Sequence, residues 1–350
     1  MALDAPAPPP GAGPRPDHDL PVTTRPRPAD GAPNAEADLE EEVASRAKVT
    51  RVVSANTSVW KRLVEIWRSR ELLVYLVRTE IKVKYKNSFL GLLWSMLSPA
   101  MTLLVYTLVF GVALKNGIPN FVIFLFSGLL LWNFFSTGVM TATGVVVNNA
   151  GLVKKVSFPR EILALAAIGS AGVFFFFQAC VMVIFLLILH MAPAWELLWL
   201  IPVAIVPCAV FAGALGIFLA SVNVYLRDTQ HLVTVIVGAA WFWACPIVYS
   251  YQYTVSAGLH RLGITWLYFL NPMTPLVMTF QRVLYNRPGL VTLTTHHAPG
   301  TPAPQAYLLP PWPATTYLWA DAAVLGVSLV LFYLAMVVFG RLAGNFAEEL

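Results

Sequence analysis

The residues able to make or break bonds are few in this chain of 350 residues, and none stands at a spacing that such chemistry needs. There is no Gly-x-Ser-x-Gly elbow, no His-Glu-x-x-His pair and no Gly-x-x-x-x-Gly-Lys-Ser/Thr loop. The chain thus offers no primed nucleophile, no helical zinc site and no phosphate cradle. ATP hydrolysis by this chain alone is not expected. His296 and His297 could bind a metal, but their Pro- and Thr-rich surroundings read as a solvated loop. Cys180, Cys208 and Cys245 sit inside apolar runs without metal-ligand spacing, so they read as small buried hydrophobes. No catalytic residue, metal or cofactor is assigned to the chain.

Two further classes of chemistry are poorly served. A membrane enzyme acting on lipid-linked sugars needs a carboxylate or histidine to activate a hydroxyl. Glu196, Asp321, His190, His260, His296 and His297 fall toward one face without paired spacing. A proton- or sodium-coupled carrier needs ionisable groups at mid-membrane. Asp321 is the only carboxylate inside an expected span, with Glu161 at the edge of another. Energy is therefore expected from a separate subunit. Aromatic residues are plentiful instead, at 13%. Trp132, Phe134, Trp241 and Trp243 lie near the middle of two expected spans. They either pack between helices and lipid or line a passage whose ring faces stack on sugars.

The elements that hold these residues are membrane helices. Hydrophobic residues make up 57%, charged residues 12%, and mean hydropathy is +0.67. Soluble domains carry roughly twice that charge fraction. Nine of the 18 acidic residues lie in residues 1–50, with ten prolines in the first 33 positions, so this stretch reads as a disordered cytoplasmic tail and not as a signal peptide. Beyond it, 18 basic residues face nine acidic ones and flank apolar spans. That is a juxtamembrane pattern and argues against a nucleic-acid partner.

Residues 57–88 read as an amphipathic segment at the membrane interface. Leu72, Leu73, Leu76 and Val83 can share one side, while Arg78, Lys82 and Lys86 make a stripe four residues apart. Trp60, Trp67 and Tyr75 suit headgroup depth. The transmembrane domain is expected over residues 89–340. Its spans are Phe89–Leu114, Phe121–Val145, Ile162–His190, Leu197–Tyr225, His231–Tyr249 and Tyr317–Gly340. Leu262–Tyr285, broken by Asn271-Pro272 and Pro275, reads as two short re-entrant helices. Residues 286–316 read as loop, and 341–350 as a cytoplasmic tail. With a cytoplasmic N-terminus, the inner side holds ten flanking Lys and Arg and the outer side four, so both ends are placed inside. The fold class expected is thus an all-α integral membrane protein with six transmembrane helices, in a bacterial cytoplasmic membrane.

Several segments resemble the membrane subunit of type-2 ATP-binding-cassette exporters for lipid-linked polysaccharide, the O-antigen, capsule, teichoic-acid and mycobacterial galactan exporters. They are Arg78 to Trp94 (RTEIKVKYKNSFLGLLW), followed by Pro99 and Val109-Phe110-Gly111; Asn149 to Glu161 (NAGLVKKVSFPRE); Asn223 to His231 (NVYLRDTQH); Pro246 to Tyr249 (PIVY); Leu270 to Pro275 (LNPMTP); and Phe346 to Leu350 (FAEEL). The resemblance runs from about Leu72 onward and leaves out the first 50 residues.

The resemblance implies a homodimer of this chain with two copies of an ATPase subunit, which binds the ATP and magnesium. It implies a coupling helix at Gly151, Lys154, Lys155, Phe158, Pro159, Arg160 and Glu161 that enters a groove on the ATPase. It makes Arg78, Glu80, Lys82, Lys84, Tyr85 and Lys86 part of an interface helix among membrane lipids, and Asn271, Pro272 and Pro275 part of an outer gate. The polymer would pass between the two copies. Type-2 exporters of drugs or small lipids share the topology and remain the alternative. A stand-alone flippase is disfavoured by the lack of buried ionisable groups.

Overall fold

Pro246 shows how local chemistry shapes the chain. It has no N–H to donate, and the residue before a proline avoids the α region. The helix leading into it gives out after Trp243, short of the expected single span over His231–Tyr249. The computed structural model describes residues 58–85, 93–255, 263–287, 289–292 and 305–350, all within one unit, Val53–Leu350. The acidic tail, Lys86, Phe89, His260, His296 and His297 lie outside the described residues.

The described elements run α1 (Val59–Arg68), α2 (Arg70–Tyr85), α3 (Leu93–Tyr106), α4 (Phe121–Asn148), α5 (Ala150–Lys155), α6 (Glu161–Ile188), α7 (Leu200–Tyr225), α8 (Thr229–Val235), α9 (Thr265–Phe269), α10 (Met273–Leu284), α11 (Ala314–Leu342) and α12 (Phe346–Glu349). Wider π turns extend α3 over Thr107–Ala113 and α8 over Ile236–Trp241. Residues 286–316 are not wholly loop, because β1 (Leu290–Thr292) pairs antiparallel with β2 (Gln305–Tyr307), Val291 opposite Ala306.

Among the described residues, four helices are long and apolar enough to cross a membrane: α4, α6, α7 and α11 with its continuation to Asn345. α4 is the central one. Its most apolar stretch is 83% buried, against 28% for α6 and for α11, which is why its sequence is apolar on every side. α2 packs along α6, and Gly169 permits the approach, since a Cβ there would stand 2.9 Å from Val77 Cγ2.

Hydrogen bonds sort the turns into two ends. At one end, Tyr285 Oη donates to Pro119 O (2.7 Å) and Ala194 N to Val283 O (2.8 Å), which joins the turn after α3, the turn after α6 and the end of α10. At the other, Tyr225 Oη donates to Leu342 O (2.8 Å), and Arg62 pairs with Glu161. Between them, Asn133 Nδ2 donates to Gln178 Oε1 (3.1 Å), linking α4 to α6.

Candidate functional site

The turn that carries α5 is built from Asn149. Its side chain donates to Val145 O (2.8 Å), closing α4, while its carbonyl accepts from Leu152 N and Val153 N, opening α5. Val153 is buried, and Gly151, Lys154 and Lys155 are exposed. Phe158 and Pro159 are half-buried, Phe158 resting on the core, and Pro159 O accepts from Ile162 N (3.1 Å) just ahead of α6. The turn thus exposes Lys154 and Lys155 beside Val156 and Ser157, with Phe158 and Pro159 only half covered.

Two residues expected on that surface turn inward. Arg160 donates to Ala343 O and lies 5.8 Å over the Phe346 ring. Glu161 is buried and pairs with Arg62 Nη1 at 3.2 Å, itself buried. The physical reason is charge: a buried carboxylate needs a partner within reach. Gly340 leaves the room, because a Cβ there would collide with the Arg62 guanidinium. Sequence reasoning missed Arg62. The signal was an arginine on the same helix face as Ile66, the two buried residues of α1.

α2 holds the residues expected of an interface helix. Arg78 and Lys82 are exposed, and Leu72, Leu73 and Leu76 rest on the core. Val83 departs from that apolar side and is exposed. Glu80 Oε2 accepts from Ser170 Oγ (3.0 Å), and Lys84 Nζ sits 4.6 Å over the Phe174 ring, so α2 bonds to α6 as well as presenting a charged stripe. Burial lifts the Glu80 carboxyl above the usual carboxylate range, against the lowering pull of Ser170 and Lys84.

The second cluster joins the end of α8 to the break between α9 and α10. Trp241 Nε1 donates to Asn271 Oδ1 (2.9 Å), which also accepts from Met273 N (3.1 Å). Asn271 Nδ2 donates to Ala244 O (3.3 Å). Tyr249 Oη donates to Trp243 O (2.7 Å), so the 2.9 Å contact between the hydroxyls has Tyr268 as donor. Pro272 precedes α10 and is half-exposed, and Pro275 is buried in its first turn.

The four aromatic candidates do not form one ring around a passage within this chain. Trp132 is buried against Phe135 (5.6 Å) and Phe242 (5.8 Å), and Phe134 is buried against Phe175 (5.6 Å). Large rings in a tight helix bundle contribute more by packing edge to face than by facing outward. Trp241 is half-buried among Phe135 and Phe211, whereas Trp243 is 48% exposed, flanked by Tyr106 (6.4 Å) and Phe110 (6.1 Å).

Residues 71–285, from α2 to α10 and including the α5 turn and the Trp241–Asn271 contact, match the ABC-2 type transporter family. The chain belongs to this family. As an ABC-2 type chain it is 35% identical over 225 residues to the O-antigen export system permease protein RfbA of Myxococcus xanthus, covering 64% of this chain and 84% of that protein. Two proteins of the same name from Klebsiella pneumoniae are 27% and 26% identical over 216 residues, each covering 62% of this chain and 81% of the relative. The ABC-2 match also takes in the turn after α7. There Asn223 Oδ1 accepts from Gln230 N (3.1 Å), and Gln230 packs on α4 where a Cβ at Gly144 would stand 2.8 Å from its Oε1.

Proposed function

We propose that this chain is the permease subunit of an ATP-driven exporter that moves lipid-linked polysaccharide, O-antigen- or galactan-like, across a bacterial cytoplasmic membrane. The observation that carries the reading is the identity to an O-antigen export permease across 84% of that protein. In this reading two copies of the chain pair with two copies of an ATPase subunit, which supplies ATP and magnesium binding. Gly151, Lys154, Lys155 and Phe158 meet the ATPase, with Pro159 setting the direction of the chain into α6.

The proposed topology has six spans with both termini cytoplasmic. α3 and its π extension, from Leu93 to Ala113, reach roughly 30 Å and supply the first span. α1 and α2 lie along the inner interface. α10 has 12 residues, about 18 Å, too short for the ~30 Å hydrocarbon core. One end of α10 sits at the outer turns, so Asn271 and Pro272 at its other end fall within the membrane. α8 with its extension rises a similar distance from the inner turn at Asp228, so the chain beyond Trp241 has to complete the fifth span. The two meet at Trp241 and Asn271, which supports a re-entrant gate there. Trp243 offers the open aromatic face for a sliding sugar chain, and Trp241 holds the gate. Trp132 and Phe134 support that arrangement from the core.

Purification of the chain from its native membrane tests the subunit assignment. The lone chain hydrolyses no ATP, and the complex with its co-purifying ATPase does. ATP turnover by the lone chain, abolished by a mutation within it, would overturn the reading.

A further inference from the structure

The end of α11 presents carbonyls that no residue of that helix can satisfy. Two side chains from elsewhere bond to carbonyls at this end, where Ala343 O, just past α11, also accepts from Phe346 N. Tyr225 Oη, at the end of α7, donates to Leu342 O (2.8 Å), and Arg160 donates to Ala343 O. A cation at a helix C-terminus is also favoured by the helix dipole. The chain runs on from α11 through a 3-10 turn, Ala343–Asn345, into α12, and Phe346 becomes a plug. It is fully buried, 5.3 Å from the Phe339 ring and 6.2 Å from the Tyr225 ring, with the Arg160 guanidinium 5.8 Å above its centroid. Arg160 is at once the last residue before α6 and the residue bound to α11 and α12. The neighbouring Glu161–Arg62 pair, seated against Gly340, ties the same point to α1.

We propose that Arg160 and Phe346 are positioning residues that lock the coupling segment to α7 and α11, so that a push on α5 moves three helices together. The inference rests on the permease reading. Without the lock, a displacement of α5 passed on through the link Val156–Ser157 would reach α6 alone. Arg160 then acts through Phe346 and Ala343 and does not itself touch the ATPase.

The test uses the full complex with its co-purifying ATPase in lipid nanodiscs or vesicles. Phe346→Leu keeps apolar volume and removes the ring face beneath the guanidinium. Arg160→Gln removes the cation, and Arg160→Lys retains it. The readout is glycan moved per ATP hydrolysed. We expect a fall of about fivefold or more in Phe346→Leu and Arg160→Gln, the scale of a modest coupling energy, with Arg160→Lys keeping most of the ratio. Amide hydrogen exchange over residues 150–159 is expected to quicken in the first two variants while α4 stays protected. A purely structural role would instead lower the melting temperature and quicken exchange throughout. An unchanged ratio in Phe346→Leu and Arg160→Gln would overturn the proposal, as would failure of both to assemble with the ATPase. If the unmodified complex moves no glycan, the polysaccharide reading falls, and the exchange over 150–159 alone decides the lock.

Discussion

Arg62 and Glu161 show what one misplaced charge would cost. Both are buried, and each answers the other at 3.2 Å. Removing Arg62 leaves the Glu161 carboxylate desolvated without its ion-pair partner, which costs about 3 kcal/mol or more, whereas removing both charges is far milder. Arg62→Ala should therefore lower the melting temperature of the solubilised protein sharply. Arg62→Ala with Glu161→Gln should recover part of the loss. Equal melting points for the two variants would show that the pair does not hold the two elements. A different kind of residue-scale claim concerns Trp243, whose 48% exposure separates it from its buried neighbours. Trp243→Ala should reduce surface glycan while leaving dimer and ATPase assembly intact, because an exposed ring contributes little to packing. Full export from this variant would remove the sugar contact from that face.

At the scale of elements, the turn that carries α5 has a clear division of labour. Val153 anchors α5 inside, Lys154 and Lys155 face out, and Phe158 is half-buried at the rim. A charge at Phe158 should weaken the hold on the ATPase, since a half-buried aromatic anchor can contribute about 2 kcal/mol at an interface. Phe158→Asp is expected to insert normally and to co-purify with much less ATPase. Normal co-purification with normal export would move the coupling contact elsewhere. This turn was legible in the sequence because Asn149, Pro159 and Glu161 punctuate it between two long apolar runs. The inward turn of Arg160 was not. It depends on Ala343 and Phe346, more than 180 residues away in sequence, and no local pattern encodes that contact. The break between α9 and α10 was legible for the opposite reason: Asn271 and Pro272 end one helix and start the next by local chemistry alone. The short β1–β2 pairing could not be read, since three-residue strands carry no usable periodicity.

Across the whole molecule, hydropathy located the four long helices because each carries 18 or more apolar residues with few charges. It could not foresee that Pro246 and the π turns would shorten the helix after Asp228, nor which rings pack inward. Trp132 and Trp243 sit in equally apolar sequence, and only the neighbouring helices decide that one is core and the other open. The ABC-2 membership and the likeness to O-antigen export permeases point to a transport subunit, with ATPase activity in a separate subunit. The most direct test of that claim is surface glycan in cells depleted of this chain. The account predicts that lipid-linked polysaccharide disappears from the outer face and accumulates inside, and that the unmodified chain restores export. Surface glycan at its normal level through full depletion would contradict it.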